Sequence, residues 1–162
     1  MRGIQKIVSG GQTGVDRGAL DAARALAMPT GGWVPRGRLA EDGRVPDEYL
    51  LQETATAAYE ERTRLNVRDS DGTLIISHGP LRGGSLVTFE AAVDLGRPYK
   101  HLDLSAMSLS EAIETAHVWI DAHDISTLNV AGPRHSEDED GYRVSRVITT
   151  ALLTRTRASR NT

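Results

Sequence analysis

The sequence contains no cysteine. Disulfides and thiolate metal centres are therefore excluded, and the cytoplasm is the expected compartment. It also has no run of about 18 apolar residues, so no membrane-spanning helix is expected. The opening MRGIQKIVSG lacks the long apolar stretch of a secretory signal and leads at once into a strand pattern. Lysine is nearly missing: only Lys6 and Lys100 occur, and the other cationic side chains are Arg, whose planar fork pairs bidentately with phosphate or carboxylate. No repeat, long linker or low-complexity segment interrupts the chain.

What remains suits one globular domain: 162 residues, 39% hydrophobic and 25% charged. The domain is expected to span residues 1–157, with 158–162 as a flexible tail. A net charge of -3 argues against duplex nucleic acid as a partner.

Strand and helix patterns alternate along the chain. Strands are expected at 4–9, near 28–34, and at 72–77, 99–102 and 127–132. Helices are expected at 15–27, in part of 48–65, from the Gly-rich loop 78–85 to Leu95, from the Ser108–Glu111 capping box onward, and at 138–157. Short apolar strands separated by helices imply a parallel sheet of about five strands covered on both faces.

In such a sheet, ligands bind beyond the carboxyl ends of the strands. Three strands end there in Gly-rich turns that feed helices: SGGQTGVD after the first, SHGPLRGGSLVTFE after the third, and AGPRHSED after the fifth. Helix N-termini aimed at one crevice, with Arg17, Arg82 and Arg134 beside them, point to an anion or phosphate site. Arg17 is the odd member. A cation in the first turn of a helix faces the positive end of the dipole. It either faces a bound anion or pairs with an acid such as Asp21, Glu41 or Asp42. On the first alternative, Arg17→Ala weakens ligand binding and leaves the fold intact. A P-loop is excluded because no Lys lies in these turns. The dinucleotide fingerprint is nearly present at Ser9, Gly11 and Gly14, but the second strand runs into Gly31-Gly32-Trp33-Val34-Pro35 without the ribose-binding acid.

The stretch GGWVPRGRLAEDGRVP is read as a flap whose Trp33 stacks on a ring-bearing phosphorylated ligand and whose Arg36 and Arg38 pair with it. An ordered loop with internal ion pairs is the alternative. Asp69 to Gly72 form a tight turn at the far end of the sheet. His78 and His135 are expected to make loop hydrogen bonds rather than bind a metal. Glu90 sits early in its helix, where it would hold a ribose hydroxyl or act as a general base.

Four segments in order, GGQTGVDRGALDAA, GGWVPRGRLAEDGRVPDEY, RTRLNVRDSDGTLI and GGSLVTFEAA, resemble the molybdenum (cofactor) carrier proteins. These form a circularly permuted YpsA-like branch of the superfamily that includes the DprA and LOG (lysine-decarboxylase-like) proteins. The resemblance covers about residues 5–134. It implies a Rossmann-like three-layer α/β/α sandwich, a homo-oligomer (dimer or tetramer), and molybdenum cofactor (molybdopterin) or molybdate as ligand. It further implies molybdoenzymes as recipients, and the charge and the lack of a long apolar run leave no nucleic acid or membrane partner expected. Carried over by motif, Gly10, Gly11, Thr13, Gly14, Gly83, Gly84 and Ser85 would line the phosphate or oxyanion site, and the neighbouring Gln12, Thr88 and Gly132 join the candidates. In LOG enzymes a Gly-Gly turn, a Gly-Thr pair and a Glu cleave a nucleotide's N-glycosidic bond. Here Gly83, Gly84 and Glu90 match, but Leu86-Val87 stands in place of Gly-Thr, with Thr88 displaced by one. Three functions follow: a non-catalytic carrier, a nucleotide phosphoribohydrolase using Glu90 and Arg82, and a sensor of ADP-ribose-type nucleotides.

Overall fold

The computed structural model describes residues 3–161. Five segments form one sheet: β1 (Lys6–Val8), β2 (Thr30–Gly31), β7 (Gly72–Ser77), β8 (Tyr99–Asp103) and β9 (Thr127–Ala131). Their order is β2-β1-β9-β7-β8, with every neighbouring pair parallel. Central β7 is buried at every residue, as a short apolar strand covered on both faces must be. Four two-residue strands lie outside this sheet: β3 (Trp33–Val34) pairs with β6 (Gln52–Glu53), and β4 (Leu39–Ala40) with β5 (Gly43–Arg44).

Five helices cover the sheet: α1 (Val15–Ala25), α2 (Tyr59–Arg68), α3 (Gly83–Asp94), α4 (Leu109–Ala122) and α5 (Gly141–Arg160). Helices α1, α4 and α5 pack on one face over Ile7, Leu74, Ile76, Leu102, Leu128 and Val130. Helices α2 and α3 pack together on the other through Val67, Ala91 and Ala92. The result is a Rossmann-like α/β fold in three layers. Helices α1 and α5 approach closely because Gly18 has no side chain: a Cβ there would stand 2.4 Å from the Tyr142 carbonyl oxygen. The capping box at α4 is formed, with Ser108 Oγ accepting from the Glu111 N–H at 3.1 Å. Asp71 accepts from the Ser126 and Thr127 amides, which fixes the turn at the amino end of β7.

Three local expectations are corrected. The stretch 28–34 is divided between β2 and β3 rather than forming one strand. The helix expected within 48–65 begins only at Tyr59 and runs on to Arg68. A helix through 49–51 would direct its carbonyls to amides four residues ahead. Here the Tyr49 and Leu51 carbonyls accept instead from the buried Arg38 guanidinium, at 2.8 and 3.2 Å. Finally, α5 starts at Gly141 rather than 138 and continues to Arg160, so residues 158–160 of the expected tail are helical; Thr162 lies outside the described residues.

Candidate anion-binding crevice

Strands β1, β7 and β9 end at the same edge of the sheet, and the turns that follow them bound a crevice. Its floor comes from Gly10, Gln12 and Asp16 after β1, and from Asn129, Ala131 and Gly132 at the end of β9. Helix α3 adds Gly84, Ser85 and Thr88, while α2 adds Arg62, Thr63 and Asn66. Arg134 and Glu137 close the remaining side. The cavity volume is about 50 Å³. At the roughly 10–15 Å³ that one water needs, this is room for a phosphate-sized group.

The crevice is rich in hydrogen-bond donors, two of them without a partner. Helix α3 begins with no side-chain cap and no acid in its first turn, and the nearby carboxylate is that of Glu137, 3.6 Å from where a Gly83 Cβ would stand. Ser85 Oγ and Gln12 Nε2 are buried and have no hydrogen-bond partner. The Gln12 amide is oriented by its other end, where Oε1 accepts from the main-chain N–H groups of Thr13 at 3.1 Å and Glu41 at 2.9 Å. Arg62 is buried and donates to the Gly10 carbonyl at 2.6 Å. Arg62 and Arg134 both lie over the Tyr59 ring, 5.2 and 5.5 Å from its centroid. Burial lowers the Arg62 pKa, and the nearby Arg134 charge lowers it further.

Two acids line the crevice, Glu137 at its side and Asp16 in its floor. Asp16 is 6% exposed, and its Oδ2 accepts from the Gln12 N–H at 3.2 Å. Burial pushes its carboxyl up to about 6, against the opposing pull of Arg62, the Gln12 amide, Ser9 and Arg17. Such a group is half ionised near pH 6.

Of the residues proposed from the sequence, Gly10, Gln12, Gly84, Ser85, Thr88, Gly132 and Arg134 line the crevice. Gly11, Thr13, Gly14, Arg17, Arg82, Gly83 and Glu90 stand around it without lining it. Glu90 and Arg82 are exposed. Arg17 pairs with Asp42 at 2.5 and 2.8 Å and donates from Nε to the Gly11 carbonyl at 3.0 Å. Its cation is thus answered by an acid, the second of the two alternatives. The 31–46 flap is a fixed structure rather than an open lid. Trp33 Nε1 donates to Asp69 at 2.9 Å, and Asn66 holds the Trp33 main chain through both of its amide atoms. Arg38 is buried and gives its N–H groups to four carbonyls, those of Val45, Pro46, Tyr49 and Leu51. Arg36 is exposed, and neither it nor Trp33 nor Arg38 lines the crevice.

The tip of the β4–β5 hairpin closes the rim. Glu41 accepts from the Thr13 hydroxyl, from the Ser136 N–H at 3.1 Å and from Ser136 Oγ at 2.5 Å. These donors hold its carboxyl below the usual range against its slight desolvation. His78 meets Asp138 at 2.7 Å, and among the described residues no group of His, Asp and Glu is arranged to hold a metal ion.

Sequence reasoning missed Asp16 and Arg62. An acid in a first helical turn is what the dipole favours anyway, and Arg62 lies 52 residues from the carbonyl it binds. The available signal was the pair of turns themselves: an acid two residues past Gly14 must sit beside the ligand amides.

The sequence matches the Circularly permutated YpsA SLOG family over residues 7–153. No curated protein matches it. A crystal structure of a "putative molybdenum carrier protein" from Syntrophus aciditrophicus SB superposes with a TM-score of 0.92 at 49% identity. The match covers 94% of this chain and 96% of that one.

Proposed function

The chain belongs to the circularly permuted YpsA SLOG family, and from that premise we propose that it binds molybdenum cofactor as cargo, gripping the cofactor's phosphate in the crevice, and passes it to molybdoenzymes. The observation that carries this reading is the pair of buried, unpartnered donors, Ser85 Oγ and Gln12 Nε2, beside the uncapped start of α3. Buried polar groups in a folded protein are nearly always paired, so two orphans lining one cleft fit an absent acceptor. Arg62 and Arg134 supply the positive charge. The donor set fits a tetrahedral oxyanion, and the cavity of about 50 Å³ fits that group alone. A pterin ring system would lie outside the enclosed part. Molybdate, the alternative cargo, uses the same donors.

The carrier reading predicts that purified protein, mixed with released cofactor and passed through gel filtration, retains molybdenum and pterin together and slows cofactor decay. Ser85→Ala, which deletes one orphan donor, is expected to weaken retention about tenfold. Protein that emerges free of both molybdenum and pterin, with decay as fast as in buffer, refutes the reading.

A further inference from the structure

An anion crevice with a buried carboxyl in its floor has an unusual hydrogen inventory. The groups that line the crevice with Asp16 include the donors Gln12 Nε2, Ser85 Oγ, the α3 amides and the Arg62 guanidinium. The charged groups nearby are Arg17 on α1, Arg62 on α2, and Arg134 with Glu137 on the turn after β9; α3 and β9 present only neutral Ser85, Thr88 and Asn129. An ionised carboxylate has about four acceptor sites. The Gln12 N–H is one donor to it, while the Ser9 hydroxyl gives its hydrogen to the Val130 carbonyl at 2.6 Å. Two fully ionised oxyanions facing one another there repel, and a hydrogen held between them relieves that repulsion.

We propose that Asp16 makes the crevice bind an oxyanion together with one hydrogen, so that an anion carrying its own O–H is preferred and any other must be accompanied by proton uptake from solvent. The inference rests on the crevice being the anion site of the proposed function, and it names the chemical class that site selects. Hydrogen phosphate brings its hydrogen and donates it to the Asp16 carboxylate. Sulfate and molybdate bring none, so Asp16 must first take a proton and then donate to the ligand. A fully ionised phosphate ester behaves like sulfate. Cargo held by such an ester is therefore bound more tightly as the pH falls towards 6 and is released as it rises. That Asp16 is half protonated near pH 6 in the free protein agrees with this, since one added anion suffices to keep it protonated at neutral pH.

The test uses inorganic phosphate and sulfate as probes, titrated calorimetrically into the intact protein. Near pH 7.5, wild type is expected to prefer phosphate by about tenfold or more, the scale of one unpaired buried charged acceptor. Sulfate affinity is expected to rise about tenfold per pH unit lost down to about pH 6. Asp16→Asn, which keeps the size and the acceptor for the Gln12 amide, should bind sulfate at pH 7.5 as wild type does near pH 5.5. Equal affinities at pH 7.5, a sulfate affinity flat with pH, or a preference that survives Asp16→Asn overturns the proposal. So does binding of neither anion at tens of millimolar, even where cofactor is retained on gel filtration. If Asp16→Asn does not fold, the wild-type pH series decides alone.

Discussion

Asp16 illustrates how much a single residue can withhold from a sequence reading. Its position after Gly14 reads as an ordinary first-turn acid, and the adjacent Arg17 is the feature that looks anomalous. The structure reverses the two. Arg17 is an ion-paired, largely buried side chain, whereas Asp16 lies in the floor of the crevice with its carboxyl at about 6. Spacing places it beside the turn after β1 but reveals neither its burial nor its neighbour Arg62 on α2. The energetic consequence is directional. An unfolded Asp protonates near 3.9, so between that value and about 6 the folded chain holds the extra proton. Stability is highest below this window and falls as the pH rises through it. Above it, the ionised Asp16 costs the fold about 3 kcal/mol. Asp16→Asn is expected to raise the melting temperature at pH 7.5 and to change it little near pH 4. A loss of stability at pH 7.5 would mean that the charge on Asp16 holds Arg62 in place and is not a burden kept for binding.

At the scale of elements, helices and central strands were legible and the 31–58 segment was not. Periodic apolar stripes and a capping box mark α1 and α4, and the GTLIIS run marks β7, because those signals are local. The 31–58 segment is organised by one buried side chain instead. Arg38 gathers four main-chain carbonyls, around which Val34, Ala40, Val45, Tyr49 and Leu51 close with Leu20 of α1. Charge in a sequence suggests a ligand, yet this guanidinium is satisfied by its own backbone. Arg38→Met is expected to destabilise by about 2–3 kcal/mol, since it leaves buried carbonyls unpaired. Chemical denaturation gives that number, and a change below half a kcal/mol would place the burden of the loop elsewhere. Arg17 belongs to the same segment through Asp42 at the hairpin tip. The pair is bidentate and partly exposed, worth about 1 kcal/mol. Arg17→Ala should therefore lose stability, contrary to the reading in which it faces a ligand. Adding Asp42→Ala to Arg17→Ala should cost little more, because both remove one contact.

For the molecule as a whole, the glycines that suggested a phosphate cradle divide into two kinds. Most serve the packing of loop against loop. A Cβ on Gly14, whose φ is +82°, would stand 2.7 Å from the Pro133 oxygen and 2.9 Å from the His135 nitrogen. One on Gly132 would stand 2.3 Å from the Ile76 oxygen. Gly14 sets the turn after β1 against the turn after β9, and Gly132 sets that turn against the end of β7. Gly84 is different: it lines the crevice, and its Cβ would meet nothing within 4 Å. A glycine kept in a helix where alanine would fit sacrifices about 0.5–1 kcal/mol, so its value lies in the open space itself. Gly84→Ala is expected to stabilise the protein by that amount and to weaken phosphate binding, the added methyl narrowing a cavity of about 50 Å³. Gly14→Ala should instead destabilise by at least about 1–3 kcal/mol, from backbone strain alone. Thermal melts paired with phosphate titrations separate the two. A stabilised Gly84→Ala that binds phosphate as wild type does would show the open face of α3 to be mere surface, and the oxyanion would have to sit elsewhere on the rim.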